Sequence, residues 1–328
     1  MRRSAVRIIL ATLLIAAGGV IGGVLWAWDA YKAPGPLSDE TALIVPKGSG
    51  VQEIAQILQD GGVIDNAHLF ALGARYTKMA RRMRAGEFAF APGISIKQAV
   101  KHLVDGETVK RRLTVPEGLL TREIIDLVAA ADGLTGTVEA PEPEGAYLPE
   151  TYFYSHGDSR AAVLARMTAA MDEALAAAWA KRHPKIALKS ARQALVLASI
   201  IEKETGVAAE RARVSAVFHN RLRRRMRLQS DPTVAYAVTG GGVSLGRPLA
   251  RADLEAESPY NTYRVTGLPP GPIANPGRAS LIAAVQPLET KEYYFVADGQ
   301  GGHAFSRTLR EHNRAVAKWR RLQRERAK

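Results

Sequence analysis

Two stretches seventy residues apart, LIVPKGSGVQEI at Leu43–Ile54 and LTVPEGLLTREI at Leu113–Ile124, carry one pattern. Each reads as a short apolar strand, a Pro-x-Gly turn and the opening of an amphipathic helix. The proline fixes φ and removes a strand hydrogen bond, and the glycine permits the turn. Ile54, Ile57 and Leu58 in the first copy, like Ile124, Leu127 and Val128 in the second, share one helical face. Between the copies the pattern predicts a helix near 66–83, a strand at Glu87–Phe90 and a helix near Ile96–Val104 capped by Ser95. Strands interleaved with helices predict an α+β fold.

With 328 residues, 47% of them hydrophobic, the chain is long enough for two folded domains and too apolar to stay disordered. It has no cysteine, which excludes disulfide scaffolds, Cys-ligated zinc or iron–sulfur sites and thiol nucleophiles. The net charge of +13 is concentrated at the ends. Arg2, Arg3 and Arg7 precede the first apolar run, and nine basic residues between Arg307 and Lys328 face only Glu311 and Glu325. The body keeps a net charge of +3, which weakens a nucleic-acid-binding reading without excluding it, since the cluster Arg221, Arg223, Arg224, Arg225 and Arg227 survives.

From Ile8 to Trp28 the chain runs for 21 residues without a charge. As a helix this spans about 31 Å, enough for one pass across a bilayer. The flanking arginines orient its N-terminus to the cytoplasm, and Trp26 and Trp28 suit the far interface. A cleaved signal peptide is the alternative; the run is longer than a usual signal core and no A-x-A-like site follows it. The polar stretch Asp29–Ala42, with Pro34 and Pro36, reads as a linker. Gly133–Gly145, with two prolines and three glutamates, reads as a surface loop.

A third element bears on chemistry. Ser190 is a candidate N-cap for a helix through ARQALVLASIIEKET, ended by Gly206. From Leu195 to Ile201 this helix is apolar on every side except Ser199, so it is expected to be buried. Glu202 stands where the buried stretch ends, with Ser199 and Thr205 on its face. Partial burial and the negative end of the helix dipole both disfavour a carboxylate there, which suits a general acid. A solvated helix end is the plainer alternative. Glu204, turned away and followed at once by the turn, ranks second.

Seven ordered segments then acquire a common meaning: YLPETYFY (Tyr147–Tyr154), LASIIEKET (Leu197–Thr205), VFHNRL (Val217–Leu222), MRLQSDPTVAYA (Met226–Ala237), YNTY (Tyr260–Tyr263), GLPPGPIANPG (Gly267–Gly277) and YFVADGQGGHAFS (Tyr294–Ser306). Together they resemble the endolytic peptidoglycan transglycosylases of the MltG (YceG-like) family, from the anchor to the C-terminal tail. The resemblance implies that Glu202 is the catalytic acid. It also implies that peptidoglycan glycan strands are the substrate, that peptidoglycan synthases are neighbours, and that the chain sits in the inner (cytoplasmic) membrane with its catalytic part outside the cytoplasm. The first repeat copy, IVPKGSGVQEIAQIL, resembles the opening of LysM modules, which bind peptidoglycan glycans; a scaffold without ligand is the alternative. The expected layout is a cytoplasmic start (1–7), transmembrane helix (8–28), linker (29–42), LysM-like domain (43–106), second copy and loop (107–145), catalytic domain (146–306) and basic helical tail (307–328).

Hydrolytic glycosidases generally use two carboxylates. The resemblance implies instead that Glu202 protonates the bond between N-acetylmuramic acid and N-acetylglucosamine and then accepts the proton of the muramoyl C6 hydroxyl, leaving a 1,6-anhydro end. An intramolecular nucleophile lets one carboxyl serve both steps, and no cofactor is needed. Gln229 and Tyr263 are the foremost candidates for substrate contact, with Asn261, Asn220, Asp231 and Ser199 beside them. Asp231 before Pro232 also reads as a turn former, and it keeps open a hydrolytic pairing with Glu202. His303 and His312 read as structural or solvated. With no HExxH, G-x-S-x-G or S-x-x-K, neither metal nor serine hydrolysis has support. A muramidase and a non-enzymatic, membrane-tethered glycan-binding scaffold remain the rivals.

Overall fold

The structure, a computed structural model, describes residues 2–138, 142–243 and 245–326. The chain is a mixed α+β protein that divides into two units. One comprises Met1–Arg111 with Phe153–Asp158, the other Arg112–Tyr152 with Ser159–Lys328.

The first unit opens with helix α1 (Arg2–Lys32). Its segment Leu10–Lys32 is 23 residues long and apolar, sufficient by length and composition to cross a membrane. Then come β1 (Thr41–Val45), α2 (Val51–Asp60), α3 (Ala67–Tyr76), β2 (Gly86–Phe90) and α4 (Ile96–Asp105). β1 and β2 pair antiparallel, Thr41 opposite Phe90 and Val45 opposite Gly86. Leu58, Phe70, Phe88, Phe90 and Leu103 fill the core between sheet and helices with no exposure. Ser95 caps α4 as expected, its hydroxyl accepting from Gln98 N.

The stretch expected as a linker differs from a free spacer. Residues 29–32 remain helical, Tyr31 is buried in the core of this unit, and a side chain at Gly35 would meet the Ile94 carbonyl at 2.4 Å. An aromatic less than one turn past the apolar run prefers the core to water, so α1 enters the unit without a hinge.

The second unit begins where β3 (Arg111–Thr114) leads into α5 (Thr121–Ala130), and β3 pairs with β4 (Thr151–Tyr154). Both Pro-x-Gly turns of the repeat place their glycine at positive φ, +90° at Gly48 and +78° at Gly118, a conformation costly for any residue with a Cβ. Residues 139–141, inside the expected loop 133–145, lie outside the described residues. There follow α6 (Arg160–Ala180), α7 (Ala191–Glu204), α8 (Arg211–Arg223), α9 (Asp231–Thr239), α10 (Arg278–Val285), the antiparallel pair β5 (Tyr294–Ala297) and β6 (His303–Ser306), and α11 (Leu309–Arg326). The core is helical. α7 lies at its centre, with Leu197, Ala198, Ile200 and Ile201 unexposed against α6, α8 and α10. Val196–Ile201, apolar on every side except Ser199, are buried all round, so this part of α7 leaves no face for water.

Candidate active site

Ser190 caps α7 as the sequence indicates, accepting from Gln193 N, and the helix ends at Glu204, two residues before Gly206. The Glu202 side chain is only 5% exposed. Its Oε2 accepts from the Gly277 amide at 2.9 Å, and its Oε1 accepts from Arg211 Nη2 at 3.3 Å. The same Nη2 lies 3.4 Å from Oε2 of Glu117, a carboxylate that is 43% exposed. Two carboxylates therefore share one guanidinium, and burial, followed by the charge of Glu202, pushes Glu117 above its ordinary range against the pull of Arg211.

Glu117 belongs to the second Pro-x-Gly turn and reaches Glu202 through a network centred on Asn275. Gly118 N donates to the Asn275 carbonyl at 2.9 Å, and Asn275 N and Nδ2 donate to Leu119 O at 2.9 and 3.0 Å. Asn275 Oδ1 accepts from Tyr147 N, also at 2.9 Å, and its side chain is fully buried. This bonding fixes the Pro-Glu-Gly turn against the Asn-Pro-Gly segment that supplies the Gly277 amide. Lys203 Nζ, donating to Gly118 O at 3.1 Å, ties the end of α7 to the same turn. Beside these groups opens a cleft of about 750 Å³ lined by Glu117, Lys203, Asp231, Tyr236, Arg247 and Ile273.

The other residues singled out from the sequence separate into two groups. Asp231 faces the cleft and accepts from the Tyr263 hydroxyl at 2.6 Å. Gln229 is exposed in the preceding turn at φ +49°, a left-handed conformation uncommon for a side chain of its size, and its Oε1 accepts from Arg221 at 3.5 Å. Ser199, Asn261 and Asn220, by contrast, are not available to a sugar. The Ser199 hydroxyl is fully buried, donating to Val196 O and accepting from Ile273 N. Asn261 spends its amide on the carbonyls of Leu254 and Ala256, and Asn220 on those of Thr290 and Glu292. Asx-rich turns satisfy buried backbone as readily as ligands, and here they do the former. His303 pairs with Glu210 at 2.7 Å and His312 stacks on Tyr294.

The carboxylate partner expected for a hydrolytic pairing, Asp231, interacts with Tyr263 and with the charge of Glu204, while the carboxylate that shares a ligand with Glu202 is Glu117. Sequence reading missed Glu117, Arg211, Asn275 and Gly277. One signal was present: the repeat copies match around their turns, yet Lys47 in the first stands where Glu117 stands in the second.

Glu204 occupies a different environment from Glu202. Burial pushes it up to about 7; the Ser230 hydroxyl bonded to it pulls the other way, Asp231 adds to the rise, and Arg221 opposes it. A carboxyl that holds its proton more tightly folded than unfolded stabilises the fold fully below about pH 4.5 and loses that contribution as pH rises to about 7. The loss amounts to about 3 kcal/mol. Glu204→Gln is expected to flatten the fall in melting temperature across this window, measured by calorimetry at stepped pH; an unchanged slope would contradict the assignment.

An α+β unit carrying a nearly covered carboxylate, held by an amide and an arginine beside an open cleft, forms a candidate carboxyl site. The chain belongs to the YceG-like family, whose sequence profile matches residues 43–318. It is 32% identical over 333 residues to an endolytic murein transglycosylase of Bacillus subtilis, covering 92% of this chain and 91% of that one. It is 27% identical over 350 residues to an endolytic murein transglycosylase of Streptococcus pneumoniae, spanning 93% of this chain but 63% of that longer protein. A crystal structure of a yceG-like protein from Listeria monocytogenes matches with a TM-score of 0.51 at 31% identity, covering 84% of this chain and 99% of that one.

Proposed function

We propose that the chain is an endolytic murein transglycosylase, a peptidoglycan lyase that cuts the β-1,4 bond between N-acetylmuramic acid and N-acetylglucosamine inside glycan strands. The observation that carries this reading is the placement of Glu202, a carboxyl held by Gly277 and Arg211 at the end of a buried helix. The relatives that share its family are named for this activity.

In this reading Glu202 gives its proton to the bridging oxygen as the bond from C1 breaks. It then takes the proton of the muramoyl C6 hydroxyl as that oxygen bonds to C1. No water enters, and the carboxyl ends as it began, ready for a second turnover. Gln229, Asp231 and Tyr263 are assigned to sugar contact, while Ser199, Asn220 and Asn261 support the loops that carry them. The test is mass spectrometry of intact murein digested by the full-length chain. 1,6-anhydromuramoyl ends are expected; unchanged murein with the protein bound to it would move the reading to a glycan-binding scaffold.

One observation favours a second reading, a hydrolytic muramidase: Glu117 supplies beside Glu202 the second carboxylate that hydrolysis uses. Reducing muramic acid ends in the same digest would establish it.

The apolar part of α1 is assigned as a single-pass anchor in the cytoplasmic membrane, with the N-terminus inside and both units outside. High-salt washing is expected to leave the protein in the membrane pellet; release as a shortened soluble form would identify a signal peptide instead. Residues 43–106 are read as a LysM-like glycan-binding module on the strength of IVPKGSGVQEIAQIL opening a strand-turn-helix there. Cutting nascent strands near the bilayer would end their elongation and place peptidoglycan synthases among the partners.

A further inference from the structure

We propose that Glu117 is a positioning residue for Glu202: when a glycan fills the cleft, Glu117 takes over the Arg211 guanidinium and leaves the Glu202 carboxyl free to carry its proton. This rests on Glu202 being the acid of the proposed reaction.

Three observations lead there. The contacts of Arg211 Nη2 with Glu202 and Glu117, 3.3 and 3.4 Å, are both longer than the ~2.8 Å of a fully formed charge-assisted bond. One nitrogen is divided between two claimants and makes only a long bond to each. Second, Arg211 Nε is buried with no hydrogen-bond partner among the described residues. A guanidinium binds a carboxylate best through two parallel N–H groups, and here one of the two is unused. Third, the claimants differ in exposure. Glu202 is almost covered, whereas Glu117 is 43% exposed and lines the cleft.

Substrate changes the contest between them. A sugar over Glu117 removes its water and lowers the local dielectric, so its attraction for the guanidinium grows more than that of Glu202, which had little water to lose. Arg211 closes on Glu117 through Nη2 and Nε. Glu202 keeps its place through the Gly277 amide, which does not depend on Arg211. Released from Arg211, Glu202 Oε1 no longer accepts from a cation and is open to carry the transferred proton.

The test is steady-state kinetics of the detergent-solubilised full-length chain on murein glycan strands. Glu117→Gln keeps the shape and removes the charge, so Arg211 stays with Glu202; kcat is expected to fall about 30-fold with KM within about twofold, a positioning loss. Glu117→Asp should recover part of the rate. The double variant Glu117→Gln/Arg211→Gln should be faster than Glu117→Gln alone, because no guanidinium remains on Glu202. A Glu117→Gln enzyme with wild-type kcat, a double variant no faster than Glu117→Gln, or a fall in melting temperature that tracks the lost rate would each overturn the proposal. Glu202→Gln in the same assay keeps the two levels apart. If it retains activity, Glu202 is not the acid; if it is inactive while Glu117→Gln is unaffected, only the handover fails.

Discussion

Glu202→Gln is expected to abolish release of murein products while the protein folds as before. The amide has the size of the carboxyl, and its oxygen can still accept from the Gly277 amide. Arg211 keeps Glu117 as its anionic partner. What disappears is the transferable proton. General acid–base catalysis by one positioned group is worth roughly 10²–10⁴ in rate, and here one group is assigned both proton transfers, so the loss should lie at the upper end. Product release followed by chromatography, with circular dichroism of the same preparation, measures both halves of the statement. A variant within tenfold of wild type would show that another group delivers the proton.

The second large effect is expected at Gly277. A Cβ built there would lie 1.7 Å from Glu117 Oε1 and 2.2 Å from its Cδ, so the Glu117 carboxylate must leave its position. The backbone has no objection: Gly277 sits at φ −76°, ψ 170°, where alanine is unstrained. Replacing glycine in such a conformation stiffens the unfolded chain and stabilises slightly. Gly277→Ala should therefore melt at or just above the wild-type temperature while losing about 100-fold in kcat, the cost of misplacing an acid constellation by an ångström. Full activity in this variant would mean that the packing of Glu117 on Gly277 has no bearing on the reaction.

Local chemistry explains which parts of the molecule were legible in its sequence. Ser95 and Ser190 cap their helices because a hydroxyl before an apolar periodic run satisfies amides that nothing else can reach. The burial of α7 followed from its lack of a polar face. The basic tail was also legible as a helix, observed at Leu309–Arg326, but not its contact with Gly299, whose carbonyl accepts from Arg326 Nη2. Glu117 was not legible. Its meeting with Glu202 depends on the bonds of Asn275 to a turn more than 150 residues earlier, and no periodicity encodes such a pairing. For the same reason Asn261 and Asn220 looked like sugar ligands. A polar residue in a turn-rich stretch has the same appearance whether it faces a ligand or a buried carbonyl, and only the fold tells them apart.

The repeat acquires a sharper sense from this. Both copies form the same Pro-x-Gly turn with the glycine at positive φ, but the middle residue differs in charge. Lys47 donates to the Gly157 carbonyl within the first unit, whereas Glu117 joins the carboxyl site of the second. One local geometry thus serves as a tie in one copy and as part of the candidate active site in the other.

Cleavage without water can be read from digestion of murein by the full-length chain in ¹⁸O-labelled water. 1,6-Anhydromuramoyl ends carrying no label are expected, and none of these products with Glu202→Gln. Muramic acid ends bearing one ¹⁸O atom at C1 would contradict it and make the protein a hydrolase, with Glu117 the first residue to examine as its second carboxylate.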